Sequence, residues 1–116
     1  MSQYALFLYD DPTKWEKFNP QQLQEAFGKY MAWGVNASEG GYLVTGQKLT
    51  INPGKVIRGA KQVVTDGPYS ETKEVLGGLY IIQAKDFDEA VQRTLNHPHL
   101  SYGGTIELRE IEVIGG

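Results

Sequence analysis

The residues best suited to chemistry lie in one short stretch between Asp66 and Lys73. Asp66 stands before a glycine and a proline, and Glu71 and Lys73 follow in a run of charged and polar residues. A carboxylate can act as a general base, and a lysine can stabilise the negative charge left on a substrate. The stretch therefore predicts proton-transfer chemistry, with Asp66 or Glu71 as the catalytic base and Lys73 as the catalytic cation.

Each of these residues also has a structural interpretation. An aspartate that opens a turn accepts backbone N–H groups and sets the direction of the chain, and for Asp66 we favour this role over catalysis. Glu71 and Lys73 could be solvated surface charges, part of a ligand-binding loop, or a clasp at a dimer interface. The sequence leaves these alternatives open.

Aromatic residues form a second group of candidates. Trp33 and Tyr69 are expected either in the core or along an apolar pocket between a helix and the sheet. Arg58, with Asp66 and Lys73, would then lie at the mouth of that pocket, where a cation can stabilise negative charge. Such a pocket would bind a small, partly apolar acid.

Two histidines, His97 and His99, flank Pro98 and could point the same way as a pair of metal ligands. No carboxylate lies close by in the sequence to complete such a site. We therefore expect no metal site, a helix-end position for His97 and a surface position for His99. The chain has no cysteine, which excludes disulfides and thiolate-based zinc sites or nucleophiles. No cofactor is predicted.

Composition limits the class of protein. The 116 residues fit one domain, residues 1–116, and the net charge of −3 provides no basic surface for nucleic acid. The N-terminal residues lack a basic signal-peptide region, and their apolar run is too short to span a bilayer. We expect a cytoplasmic protein with no membrane segment.

The first half of the chain predicts a strand and a long helix. Tyr4–Tyr9 is apolar on both faces, as in a buried strand. Asn19 caps a helix that begins with Pro20 and ends near Gly40-Gly41, and Trp15 and Phe18 would pack as a lid before it. The predicted core-facing stripe of this helix consists of Leu23, Phe27, Tyr30, Met31 and Gly34, widened by Ala26, Trp33 and Ala37.

The rest of the chain predicts five strand segments and a short helix. The helix is capped by Asp86 and ended by Pro98. In the last strand the apolar phase slips, which predicts a bulge or a bend near Arg109-Glu110. The predicted strands are Tyr42–Leu49, the hairpin Val56–Arg58 with Gln62–Thr65, Leu79–Ala84, and Thr105–Ile114.

This order of elements predicts an α+β fold: a ferredoxin-like antiparallel sheet with two helices on one face. Tyr4–Tyr9 and Leu79–Ala84 are apolar on both faces, but the helices can cover only one. Leaving the other face in water would forgo about 1.5–3 kcal/mol for each large side chain. We therefore predict a homodimer in which two sheets pack face to face.

The stretch Thr65–Glu74 resembles the DGPF motif of YCII-related proteins, which commonly reads TDGPFAETKE and is followed by LGG. Here Tyr69 and Ser70 depart from that pattern, and Leu76–Gly78 supplies the LGG. The resemblance continues at Tyr4–Tyr9, Asp86–Ala90 and Gly104–Arg109. It implies a dimeric α/β barrel.

The same resemblance implies several possible functions. Members are often encoded beside extracytoplasmic-function sigma factors and are compared with dimeric-barrel isomerases and monooxygenases. YCII proteins proper carry a helix histidine paired with an aspartate, but the first helix here has no histidine, so this pair cannot be transferred. We expect a small-molecule-binding dimer that performs cofactor-independent proton transfer on a small organic acid. The alternative is a non-catalytic sensor or regulatory partner of a sigma factor.

Overall fold

A computed structural model describes residues 1–67 and 74–114, and in these ranges strands and helices follow the predicted order. The bounds are β1 (Ser2–Asp10), a 3-10 helix (Pro12–Lys17), α1 (Pro20–Glu39), β2 (Leu43–Lys48), β3 (Gly54–Arg58), β4 (Val63–Gly67), β5 (Val75–Ala84), α2 (Phe87–Thr94), α3 (Pro98–Ser101) and β6 (Thr105–Ile111). None of the described helices is long and apolar enough to cross a membrane.

The strands form two antiparallel sheets. The larger has the order β2-β5-β1-β6, which is compatible with the ferredoxin-like layout, so the α+β prediction is confirmed. The smaller is the hairpin of β3 and β4, in the predicted place. Gln62 and Gly59 adopt left-handed φ angles of 55° and 69°, and the Gln62 N–H donates to the Gly59 carbonyl to close its turn. The dimer and the barrel remain predictions.

Both α1 and α2 begin with the caps that the sequence predicts. The Asn19 side chain accepts from the Gln22 N–H at 2.8 Å, and the Gln22 side chain accepts from the Asn19 N–H at 2.9 Å. Asp86 accepts from the Glu89 N–H at 2.8 Å at the start of α2. These bonds satisfy N–H groups that have no partner within the helix, and they fix where each helix starts.

The helices cover one face of the large sheet. Tyr4, Leu6 and Leu8 of β1 are buried together with Ile82 and Ala84 of β5. The Trp33 ring of α1 packs on Tyr80, with ring centroids 4.8 Å apart, and Phe87 at the start of α2 packs on Tyr4 at 5.2 Å. Tyr4 and Tyr80 point to the same side of the sheet, so α1 and α2 share that side.

The predicted stripe of α1 is wrong in part. The buried residues are Ala26, Trp33 and Ala37, whereas Phe27 is 57% exposed and Met31 is also exposed. The buried side of the helix is formed by residues that recur at close to the helical period: Ala26, Tyr30, Trp33 and Ala37. Leu23, Phe27 and Met31 are spaced by four residues and lie on the exposed side. The two alanines also let α1 lie close to the sheet.

Of the bulge or bend predicted near Arg109-Glu110, the bulge is absent from the described strand. β6 pairs with β1 without a shift from Thr105 to Ile111 and ends there, so Val113 lies beyond the sheet. Ile111 lies within the strand and faces the side opposite Ile106 and Leu108, so the change of apolar phase occurs without a bulge. The pairing of β1 with β5 is irregular instead, since its register shifts after Leu8 and Gly77 is the extra residue, and the pairing of β2 with β5 also shifts between Leu43 and Thr45.

No helix among the described residues lies on the other face of the large sheet. Side chains of Ala5 and Phe7 in β1 and of Leu79 and Ile81 in β5 alternate with the buried set and pair in register. Ala5 is buried between its neighbours, and the other three are half-buried. We call this surface, defined by Ala5, Phe7, Leu79 and Ile81, the open face.

Candidate functional site

Polar and aromatic side chains from four elements meet at the carboxyl end of β1. Asp10 ends the strand, Trp15 comes from the 3-10 helix, Tyr30 from α1 and His99 from α3. The register shift between β1 and β5 lies beside Asp10, and bulges are common next to functional sites. We call these four residues, with His97, the histidine cluster.

His99 is fixed by a hydrogen bond at each ring nitrogen. Its Nε2 lies 2.8 Å from the carbonyl oxygen of Tyr9, and its Nδ1 lies 2.7 Å from the hydroxyl of Tyr30. A carbonyl oxygen can only accept, so Nε2 carries the proton and Nδ1 accepts from the Tyr30 hydroxyl. The contacts therefore define one tautomer of the imidazole.

The environment favours the uncharged forms of both partners. Burial lowers the pKa of His99, and Lys14 lowers it further. The hydrogen bond to Tyr9 and the charge of Asp10 raise this pKa and offset part of the effect. Burial also raises the pKa of Tyr30, with the negative charge of Asp10 as the next cause. At neutral pH the proton thus stays on the phenol, and Nδ1 of His99 remains a base.

A glycine makes room for this arrangement. A Cβ atom at Gly104 would overlap the His99 ring. The Gly104 N–H also donates to the His99 carbonyl at 2.9 Å, which holds the turn between α3 and β6. Gly104 therefore lets the imidazole reach the Tyr9 carbonyl.

His97 is the most buried member of the cluster, at 1% exposure. Its Nδ1 accepts from the backbone N–H of His99 at 3.0 Å and caps α3, so the proton lies on Nε2. That nitrogen has no hydrogen-bond partner among the described residues. The rings of Trp33 and Tyr80 lie 4.5 and 5.2 Å from the imidazole. Burial lowers the pKa of His97 to about 4, and the neighbouring His99 adds to the effect.

These positions correct the sequence expectation for the two histidines. His99 was expected at the surface but is only 4% exposed, and His97 caps the start of α3 rather than the end of the preceding helix. Pro98 is the reason, because it occupies the first position of a new helix as well as ending the old one. The new turn directs His99 inward.

Asp10 joins the cluster to the 3-10 helix. Its Oδ2 accepts from the Trp15 indole N–H at 2.9 Å and lies 3.2 Å from Lys14 Nζ. Lys14 also donates to the Tyr102 carbonyl at 2.8 Å. The Trp15 ring packs on Phe18 and Tyr102 at centroid distances of 5.0 and 5.4 Å. The 3-10 helix is thereby held over the end of β1.

The site predicted around Asp66 lies elsewhere in the molecule. Asp66 is in β4 of the hairpin, its side chain is 78% exposed, and it pairs with Lys55 at 2.6 Å. Arg58 lies in β3 of the same hairpin. The predicted residues Glu71, Lys73 and Tyr69 fall outside the described residues. The roles assigned to these five residues remain predictions.

Trp33 is the predicted site residue that contacts the histidine cluster. It is buried, packs on His97 and donates from its indole N–H to the Asn96 side chain at 3.2 Å. Sequence reasoning did not find Tyr30 and His99 together, because 69 positions separate them in the chain. The available signal was Pro98, whose preference for a helix start turns the following histidine inward.

The described residues contain no group of three histidine, cysteine, aspartate or glutamate side chains that could hold a metal ion. His99 uses both ring nitrogens for Tyr30 and Tyr9. The cluster as described can therefore accept or donate a proton and can offer the His97 N–H to an acceptor.

Comparison with protein families finds a match over nearly the whole chain. The YCII-related domain matches residues 2–114. The comparison with curated proteins found no match.

Proposed function

The chain belongs to the YCII-related family, and from that premise we propose that it is a homodimer that binds a small organic acid and catalyses a proton transfer on it without a cofactor. The observation that carries this proposal is the 2.7 Å contact between the Tyr30 hydroxyl and His99 Nδ1. A phenol that donates to a neutral imidazole can pass a proton in either direction. A cytoplasmic location is part of the proposal.

The proposed step moves two protons. Tyr30 oxygen takes a proton from the substrate, and the bond between Tyr30 oxygen and its own proton breaks as that proton binds His99 Nδ1. The products are a substrate anion, a neutral phenol and an imidazolium. Burial lowers the pKa of His99 and disfavours the imidazolium, and the Tyr9 carbonyl and the Asp10 charge offset part of this effect.

His97 supports the placement of the substrate. A buried donor without a partner carries a free-energy penalty, and such groups call for a water, an ion or a ligand. The Nε2–H of His97 lies beside the rings of Trp33 and Tyr80. In the proposal a carbonyl or carboxylate oxygen of the substrate accepts this hydrogen bond.

The residues around Asp66 form the alternative site for the same reaction. There Asp66 or Glu71 would be the base, and Lys73 or Arg58 would stabilise the anion. This version fits a reaction at the surface of the hairpin or at an interface, since the Asp66 side chain is largely exposed. The two sites predict different mutant behaviour.

A thermal-shift screen with a panel of small carboxylic and oxo acids tests the proposal. Binding to the folded state raises the melting temperature, by an amount set by the ligand concentration and its Kd. We expect the shift to disappear in Tyr30→Phe and to persist in Asp66→Asn. The reverse pattern would place the site on the hairpin, and a panel without any shift would oppose ligand binding by either site.

Exchange of ligand protons with solvent deuterium, followed by NMR, tests the chemistry separately. Each bound acid should exchange a carbon-bound proton faster with the wild-type protein than with Tyr30→Phe. Tyr42→Phe is a control, because it removes a phenolic hydroxyl that is not bonded to His99. Binding without accelerated exchange would contradict the catalytic part of the proposal.

A non-catalytic regulatory role is the second candidate. It is favoured by an exposed apolar stripe on the outer side of α1, formed by Leu23, Phe27, Met31 and Val35. Exposed apolar patches often mark protein contacts. If the chain is the partner of an extracytoplasmic-function sigma factor, Phe27→Gln should weaken binding of the purified sigma factor. No binding by the wild-type chain would exclude this candidate for the sigma factor tested.

A further inference from the structure

The 3-10 helix lies against the tyrosine of the histidine cluster. Its Trp15 ring is 6.4 Å from the Tyr30 ring, and the Tyr102 ring stacks on Tyr30 at 6.2 Å. Phe18 packs on Trp15 and on Tyr102, at 5.0 and 6.0 Å. We call the 3-10 helix together with Phe18, residues 12–18, the strap. The strap therefore covers part of Tyr30, the partner of a histidine that is only 4% exposed.

Side chains attach the strap to the rest of the described chain. Its backbone hydrogen bonds stay within residues 11–18 of that part: the Lys14 N–H donates to the Asp11 carbonyl and the Phe18 N–H to the Trp15 carbonyl, each at 3.1 Å. None of the residues of the 3-10 helix is buried. Segments with few buried contacts open at a lower free energy than the core of a protein.

Lys14 forms a polar link between the strap and its surroundings. Its Nζ lies 3.2 Å from Asp10 Oδ2 and donates to the Tyr102 carbonyl at 2.8 Å, so it joins the strap to the end of β1 and to the turn after α3. The Lys14 and Asp10 side chains are only 23% and 13% exposed, and such a pair is screened less than one at the surface. The Trp15 indole N–H adds a bond to Asp10 at 2.9 Å.

The elements on either side of the strap hold their own positions. Asp10 pairs with Val75 in the large sheet, and the capping box of Asn19 and Gln22 fixes the start of α1 without the strap. Phe18, between the strap and this cap, has an extended backbone with φ −88° and ψ 135°. Movements of lids are absorbed by a few loop or terminal residues of this kind. The strap can therefore move without unwinding α1.

We propose that the strap is a gate over the Tyr30–His99 pair, which moves away from Tyr30 and Tyr102 to admit a substrate and is held closed by Lys14. The inference rests on the proposed function, because it describes how access to that site is regulated. Closure over a bound molecule excludes water from the proton transfer. Opening exposes His99, whereas His97 stays packed on Trp33.

Acylation of histidine by diethyl pyrocarbonate, located by tandem mass spectrometry, tests the gate without a substrate. The reagent needs an accessible neutral imidazole, and pH 8 lies above the ordinary pKa range of histidine. Lys14→Met should raise the rate at His99 on the order of 10-fold, because it removes a hydrogen bond made by a charged group. Lys17→Met removes the same charge from an exposed position of the same helix and should change the rate less than about twofold.

Trp15→Phe is a second test, in case Lys14→Met does not fold. It keeps an aromatic ring in the strap but loses the bond to Asp10. We expect the rate at His99 to rise by roughly threefold to tenfold, the range that the loss of one neutral hydrogen bond allows.

The ratio of acylation at His99 to acylation at His97 separates opening of the strap from unfolding, because unfolding exposes both histidines. We expect this ratio to rise in Lys14→Met and in Trp15→Phe. An unchanged rate at His99 in both variants, a proportional rise at both histidines, or an equal rise in Lys17→Met would overturn the inference.

These outcomes are independent of the thermal-shift screen. A selective rise at His99 together with no shift from any acid would leave the opening of the strap standing and remove the ligand binding beneath it. A thermal shift that disappears in Tyr30→Phe, together with no response of His99 to Lys14→Met, would leave the proposed function standing and remove the gate.

Discussion

The hydroxyl group of Tyr30 helps to determine the tautomer of His99. The Tyr30 hydroxyl satisfies Nδ1 of a ring that is almost completely buried, and the Tyr9 carbonyl satisfies the other nitrogen. If only one of these two bonds formed, the other ring nitrogen of His99 would be buried without a partner. The pair of bonds makes the histidine both a structural contact and a base of defined tautomer.

Removal of the Tyr30 hydroxyl should lower the free energy of unfolding. Tyr30→Phe keeps the ring and leaves His99 Nδ1 without its donor, so we expect a loss of about 1–3 kcal/mol in the free energy of unfolding. Urea denaturation measures it. Tyr42→Phe should change the stability much less, and equal losses in the two variants would contradict the role of the Tyr30–His99 bond.

Stability should fall in mild acid because of His97. Its pKa of about 4 in the folded protein lies below the value of about 6.5 for an unfolded histidine. Between these values the unfolded state binds more protons, so stability is lost as the pH falls from about 6.5 to 4. The contribution of His97 is up to about 3 kcal/mol.

His97→Asn isolates this contribution. Asparagine can still cap α3 but does not titrate. Denaturation curves at several pH values should show a shallower loss of stability in His97→Asn than in the wild type between pH 6.5 and 4. Parallel pH profiles would contradict the assignment.

At the scale of elements, α1 shows what a pattern can and cannot predict. The capping box at Asn19 depends on neighbours in the chain, and it was predicted correctly. The rotation of the helix depends on the Trp33 contacts with Tyr80 and His97, which come from β5 and from the segment before α3. The periodicity of the apolar residues is compatible with two overlapping stripes on α1. The contacts of Trp33 determine which stripe is buried.

Two substitutions in α1 should separate these stripes. Phe27→Gln changes an exposed side chain to a good helix former, and we expect a change within about 0.5 kcal/mol. Trp33→Ala removes a buried ring and should cost about 3–5 kcal/mol. Urea denaturation of both variants gives the comparison, and a large loss in Phe27→Gln would mean that the outer stripe is covered.

Strand prediction succeeded and failed for similar reasons. The order of strands and the β3–β4 hairpin followed from local turn residues such as Gly59 and from alternating side chains. The position of the bulge did not follow from local residues, because it depends on which residues of β1 and β5 face each other. The site at His99 was missed for the same reason, since its partners come from elements distant in the sequence.

At the scale of the whole molecule, the open face is an apolar surface on one small chain. A protein of 116 residues buries a limited core, and the proposed association of two copies would add to its stability. We therefore expect the melting temperature of the wild type to rise with protein concentration across the micromolar range. Differential scanning fluorimetry over a hundredfold range measures this, and a constant melting temperature would argue for a monomer.

The contact between Trp33 and His97 gives the molecule an optical probe of its own interior. The indole and imidazole centroids are 4.5 Å apart, so a proton taken up by the histidine puts a cation against the light-absorbing ring. Emission from Trp33, recorded in a Trp15→Phe background, would then dim with acid while the chain is still folded. Titration of one buried side chain could thus be followed without any label.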